Sequence, residues 1–198
     1  MKKPFFLLLL AGIVNQSNSQ VRFGPTAGIL LPAKQDRLPF YNRKTDWYAG
    51  AFSQILLTSR WRLWPELHYS LRVYDFTYGG SPVKQVYKFK YLTAPVLVMY
   101  HPLEHFDFFT GPEFSYLLHA THIFYDDPPS TKYNETETFT KLNIGMDVGM
   151  NYTIGRALGV TLRYYYGFIT AQQTYPNPNY SNPNYSHSQV SCGLYYKL

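Results

Sequence analysis

Apolar and polar residues alternate with a period of two over long stretches of this chain. In residues 61–73 one face reads Trp61, Leu63, Pro65, Leu67, Tyr69, Leu71, Val73, and the other Arg62, Trp64, Glu66, His68, Ser70, Arg72. In residues 140–154 the set Leu142, Ile144, Met146, Val148, Met150, Tyr152, Ile154 faces away from Lys141, Asn143, Gly145, Asp147, Gly149 and Asn151. In residues 158–170 Leu158, Val160, Leu162, Tyr164, Tyr166 and Phe168 oppose Gly159, Thr161, Arg163, Tyr165 and Gly167. A helix would mix these sets, so the segments read as strands. Softer alternation marks residues 21–31, 47–57, 86–100, 106–120 and 186–198. Lys88 and Lys90 share a face at the start of 86–100, before both faces turn apolar. Asp107, Gly111, Glu113, Ser115 and His119 share a face of 106–120, and Val190, Cys192, Leu194, Tyr196 and Leu198 share one of the last segment.

The connections between these eight segments alternate strictly. Long polar links fall at 32–46, 77–85, 121–138 and 171–185, and short ones at 58–60, 101–105 and 155–157. Tight turns on one side and long loops on the other, with an even strand count, are the pattern of a barrel whose two ends lie in the periplasm. The expected fold is therefore all-β: an eight-stranded antiparallel up-and-down transmembrane β-barrel. A soluble barrel with an apolar interior shows the same alternation. Three features favour the membrane form. The final segment reads polar-x-Gly-x-x-aromatic-x-apolar (Ser191, Gly193, Tyr196, Leu198), the pattern by which outer-membrane barrels are recognised for insertion. The polar face mixes Gly with charges of both signs. Aromatic residues make up 19% of the chain, with 20 Tyr and 14 Phe, enough to furnish girdles at both membrane interfaces.

The N-terminus changes where the chain is expected to live. Lys2 and Lys3 precede a short apolar run, residues 5–14, and a polar tail with Ser17 and Ser19. This is the layout of a secretory signal peptide, and the run is too short to span a bilayer. The expected division is a signal peptide at 1–19 and one outer-membrane barrel domain at 20–198. Removing Lys2 and Lys3 lowers the formal charge from +6 to +4, and the remaining cations are scattered, with no stripe suited to nucleic acid. The single Cys192 excludes an internal disulfide framework; it reads as a buried small apolar residue. After the signal, no apolar run is long enough for a membrane helix, so an integral protein here has to be a closed barrel.

Several short motifs carry a resemblance. Trp64-Pro65-Glu66-Leu67-His68-Tyr69-Ser70, then Tyr91-Leu92-Thr93-Ala94-Pro95-Val96-Leu97, Gly111-Pro112-Glu113, Asp147-Val148-Gly149 and Leu162-Arg163-Tyr164-Tyr165-Tyr166-Gly167 follow one another in the order found in the PorT-like family of outer-membrane barrel proteins. The resemblance covers residues 21–198. It implies an eight-stranded outer-membrane barrel, and its founding type is tied to type IX protein secretion. The Asn/Pro/Tyr-rich segment 175–188 departs from the family pattern.

The charges expected to face the lumen are Arg62, Glu66, His68, Arg72, Lys88, Lys90, Asp107, Glu113, Lys141, Asp147 and Arg163. An eight-stranded barrel has barely room for its own side chains, so such charges have to be paired, as a structural plug rather than a pore. His119 and His122, near Asp126 and Asp127, invite a metal reading, but residues three apart on a strand face opposite ways. Glu66, His68 and Ser70 lie on one face, about 6.6 Å apart per step, which is poor for direct proton relay. No catalytic, cofactor or metal site is therefore expected. The expected role is structural or interactive: surface binding through the outer loops, with Tyr175, Tyr180 and Tyr185 as contact residues, or service to an envelope or type IX-like secretion machine. The alternatives are a lipid-modifying outer-membrane enzyme and a narrow small-solute channel. The expected partners are outer-membrane lipid, the barrel-assembly machinery during insertion and an envelope or secretion protein; no nucleic acid is expected, and the chain reads as a monomer.

Overall fold

Eight long antiparallel strands close on themselves in this computed structural model, which describes residues 21–33, 41–43, 46–77, 84–125, 131–168, 171–172, 184–185 and 188–198. They are β1 (Val21–Pro32), β2 (Asp46–Leu56), β3 (Trp61–Thr77), β4 (Lys84–Leu103), β5 (Phe106–Tyr125), β6 (Leu142–Ile154), β7 (Leu158–Gly167) and β8 (Ser188–Tyr196). Each pairs with its neighbours in sequence, and β1 pairs with β8 from Thr26↔Tyr195 to Pro32↔Gln189, which closes the barrel. The signal peptide expected at 1–19 lies outside the described residues.

Along most of each long strand the alternation places apolar side chains outward. On β6, Leu142, Met146, Val148, Met150, Tyr152 and Ile154 are exposed while Asn143, Asp147 and Asn151 are buried. That pattern is inverted relative to a water-soluble protein and fits a wall whose solvent is hydrocarbon. Cys192 also faces outward and is exposed, contrary to the buried position expected for it, because it shares the parity of Leu194 and Tyr196. Among the described residues no helix is long and apolar enough to cross a membrane.

The turns on one side are short. Thr58 Oγ1 accepts hydrogen bonds from the backbone N–H groups of Arg60 and Trp61, at 3.3 and 3.0 Å, which shapes the β2–β3 turn. Gly155, with φ of 64°, turns the chain from β6 to β7, where a side chain would be strained. On the other side the strands are unequal. β3, β4 and β5 have 17, 20 and 20 residues, against 10 and 9 in β7 and β8, so one wall rises well above the rest. Short strands Tyr41–Arg43 and Thr131–Asn134 pair onto this wall, the latter leading into a 3-10 turn at Thr136–Thr138. The wall extends past the predicted strands because apolar alternation stops at the membrane border while backbone pairing continues into water.

One irregularity matters. The β4–β5 register shifts between Lys90↔His119 and Tyr91↔Leu117, leaving Leu118 as the extra residue of a β-bulge. Below it the odd residues of β5 are buried; above it Ala120 and His122 take the interior.

Candidate functional site

The barrel interior is built in four layers stacked along its axis. At the periplasmic mouth, Asp107 accepts a hydrogen bond from Arg62 at 3.1 Å and contacts His101 Nδ1 at 2.8 Å. Lys197 donates to Thr153 Oγ1 at 3.2 Å, and Thr153 is bonded to the Tyr195 hydroxyl at 2.8 Å. Above this mouth lies an apolar layer of Phe52, Trp64, Leu97, Met99, Phe109 and Tyr195. Phe52 and Trp64 stack with ring centroids 4.1 Å apart and planes 9° from parallel, and Tyr195 meets both edge-on.

A polar belt follows. Arg163 Nη2 donates to both carboxylate oxygens of Glu66, at 2.9 and 2.8 Å, and Nη1 reaches Asp147 at 3.5 Å. Glu66 also contacts His68 Nε2 at 2.8 Å and accepts from the Trp64 indole at 2.7 Å. Glu113 sits 3.9 Å from Arg72, accepts from Ser115 at 3.1 Å, and Ser115 bonds Thr93 at 2.9 Å. Three carboxyls thus meet two guanidiniums and one imidazole, all buried, as charges in a low-dielectric interior require. Each guanidinium also covers an aromatic ring of the adjoining layer: Arg163 over Phe109 at 5.4 Å and Arg72 over Tyr91 at 4.6 Å.

The outermost layer is aromatic: Tyr74, Tyr87, Phe89, Tyr91, Leu117, Ala120 and Phe139. His122 stacks on Tyr87 with centroids 3.9 Å apart and contacts Glu135 at 2.9 Å and Gln85 at 3.2 Å. Among the described residues the belt encloses a cavity of about 20 Å³, lined among others by His68, Ser70, Arg72 and Glu113. That is room for about one water.

Of the residues expected in the lumen, Arg62, Glu66, His68, Arg72, Asp107, Glu113, Asp147 and Arg163 face inward and are brought together as described. Three do not. Lys88 and Lys90 point outward, because they share parity with Leu92, Val96 and Val98 on the lipid-facing side of β4, while Tyr87, Phe89 and Tyr91 fill the interior. Lys141 lies just before β6, at the outer rim; its side chain is exposed and donates to Glu137 at 2.8 Å, which raises its pKa. His119, expected on the face of Asp107, is turned outward by the bulge, opposite Lys90.

Glu66 and His68 are closer than their two-residue spacing suggests, because both side chains lean together beneath Arg163. Ser70 is buried, but its hydroxyl makes no hydrogen bond among the described residues, so it is not joined to His68. Of the insertion pattern, Ser191 is buried in the lumen and Tyr196 and Leu198 are exposed outward; Gly193 packs under the Tyr48 ring. Tyr175 and Tyr180 lie outside the described residues. The backbone of Tyr185 pairs with Ala171, and its side chain lies outside the description. Asp126 and Asp127 lie outside it too. No group of three or more His, Cys, Asp or Glu positioned for a metal occurs among the described residues.

The sequence reading missed the aromatic layers. Trp64 and Tyr165 stood on polar faces, and Phe109 stood between Asp107 and Gly111. Those were the available signals that the lumen is filled by rings as well as charges.

Comparison with known proteins fits this architecture. Neisserial surface protein A superimposes with a TM-score of 0.50 at 10% identity, over 90% of this chain and 97% of that one. Ail of Yersinia pestis, crystallised with the heparin analogue sucrose octasulfate, gives 0.48 at 10% identity over 91% and 97%. OprG from Pseudomonas aeruginosa gives 0.46 at 14% over 90% and 94%. A comparison with curated proteins gives no match. At such identities likeness speaks to the fold alone. The family described as outer membrane protein beta-barrel domain matches residues 11–172, most of the chain, and the protein belongs to that family, in keeping with a place in the bacterial outer membrane.

Proposed function

We propose that this protein is a non-enzymatic, sealed outer-membrane barrel that works through its outer surface. The observation that carries this reading is the series of closed layers in the lumen. Among the described residues, a polar belt whose cavity is water-sized sits between two ring-filled layers, which favours a closed lumen over a solute path; the open cavity of about 580 Å³ at the mouth, lined by Arg62, His101, Glu104, His105 and Lys197, lies outside these layers. What remains available to a partner is the wall of β3–β5 that rises on the side of the long loops, where Tyr133 stands half exposed. The motifs shared with the PorT-like family support service to an envelope or type IX-like secretion machine. On this reading residues 1–19 direct export and are removed. The strand bearing Ser191, Gly193, Tyr196 and Leu198 is read by the barrel-assembly machinery, and the mature chain is a monomer in outer-membrane lipid.

Site-specific photo-cross-linking in intact cells tests the central claim. A photoreactive residue at position 133 is expected to trap one discrete envelope protein, while the same residue at lipid-facing Leu162 traps none. Equal protein trapping at both positions, or none at position 133 and elsewhere on the raised wall, would overturn it.

A further inference from the structure

The two lysines that face outward stand at a defined height. On β4 the outward column runs from Tyr100, paired with Trp61 at the periplasmic girdle with ring centroids 5.0 Å apart, through Val98, Val96 and Leu92 to Lys90 and Lys88. Lys90 is ten residues from Tyr100, about 33 Å along a strand and, at a tilt of about 40°, about 25 Å across the membrane. That is the thickness of the apolar band, so Lys90 meets its outer border and Lys88 stands at headgroup level.

Register gathers more polar groups beside them. Lys90 is opposite His119, and Lys88 is opposite Thr121, itself opposite Asn134. Lys132 lies across from Ile123 on the short strand that flanks β5, one pair further out. Lys132 lies two strand spacings of about 4.8 Å to the side of β4, about 6.6 Å further out than Lys88 and about 13 Å further out than Lys90, so the three lysines span a patch of roughly 16 Å at the backbone. Among the described residues none of the three lysines has a carboxylate in ion-pair range. Asp75, on the same face of β3 and paired with Val86, is buried and already engaged. The patch is also one-sided. In register with them on the neighbouring strands, the outward positions are Leu71 and Val73 on β3 and Trp47 on β2.

We propose that Lys88, Lys90 and Lys132 form a site for the phosphates of lipid A in the outer leaflet. The acyl chains lie on the Leu92–Val98 face below, and the phosphates meet the ammonium groups at the border. Unpaired cations continuous with a lipid-facing surface complement an anionic headgroup, and a bisphosphorylated one engages several lysines at once, which a single-phosphate lipid does not.

The test uses the protein purified from outer membranes and freed of lipid in mild detergent. Binding of bisphosphorylated lipid A, its dephosphorylated form and phosphatidylglycerol is measured by native mass spectrometry. The expected result is tight binding of bisphosphorylated lipid A alone, weakened about tenfold or more in K88E/K90E. The barrel's unfolding midpoint without lipid should stay unchanged, because neither side chain makes a hydrogen bond or ion pair among the described residues. Should K88E/K90E not insert, K88Q/K90Q is expected to lose the same preference more mildly. Equal binding of the dephosphorylated form, equal binding of phosphatidylglycerol, or unchanged affinity in the lysine variants would each overturn the assignment.

Discussion

At the scale of single residues, the lumen is an electrostatic problem solved by contact. Arg163 holds Glu66 through two hydrogen bonds, and Glu66 serves His68 and Trp64 as well. Removing Glu66 leaves a buried guanidinium facing only Asp147 at 3.5 Å and an indole without its acceptor. Glu66→Ala is therefore expected to cost about 3–5 kcal/mol, the usual loss for a broken buried pair. In an Asp147→Asn background, which removes the other carboxylate on Arg163, Glu66→Leu combined with Arg163→Leu should cost less than Glu66→Ala, since no buried charge is stranded. Urea unfolding in lipid vesicles measures both, and a double variant less stable than the single one would contradict the pairing. The members of this network on β3, β6 and β7 were legible from alternation alone, because each sits between apolar neighbours of opposite parity. Lys88 and Lys90 were misread for a definite reason: charge marks the lumen only at membrane depth, and above the border the outer face is wet too. Height along the strand, which a local pattern does not encode, decides which rule applies.

At the scale of strands, glycine and aromatic residues form matched pairs across the lumen wall. Tyr195 is opposite Gly159, Phe109 opposite Gly149 and Tyr48 opposite Gly28, and each ring occupies the volume a Cβ on its glycine would take. The ring covers the bare backbone, and the glycine lets it lie flat, so the pair fixes register as well as filling space. Gly159→Val should push Tyr195 off its seat, breaking its edge contacts with Phe52 and Trp64 and its hydrogen bond to Thr153. Overpacking of this kind costs about 1–3 kcal/mol. The change should lower the temperature at which the compact band on an unboiled gel is lost, whereas Gly155→Asn, in an open turn whose positive φ Asn tolerates better than other side chains, should lower it less. Equal effects would mean the ring–glycine seat carries no stability. The sequence displayed the glycines and the rings, but not which ring covers which glycine, because that depends on register between strands. The Leu118 bulge was hidden for the same reason: an extra residue looks like continued alternation until the partner strand is counted against it.

At the scale of the whole molecule, closure is redundant. The apolar layer around Trp64, the polar belt around Arg163 and the aromatic layer around Phe89 lie in series along one axis, and a pore needs all three open at once. The barrel is therefore expected to give no discrete conductance steps in planar bilayers. Removing one layer should not change that. Phe52→Ala with Trp64→Ala deletes the stacked pair of rings of the inner layer and should lower stability by about 3–5 kcal/mol for each ring. The belt above still presents paired charges around a cavity of about 20 Å³, too small for a hydrated ion to pass. The variant should stay silent while unfolding at a lower temperature, so stability and conductance separate. Steps in the native recording would refute a sealed lumen outright. Steps appearing only in the double variant would place the whole barrier in the inner layer and reduce the belt from a seal to a lining.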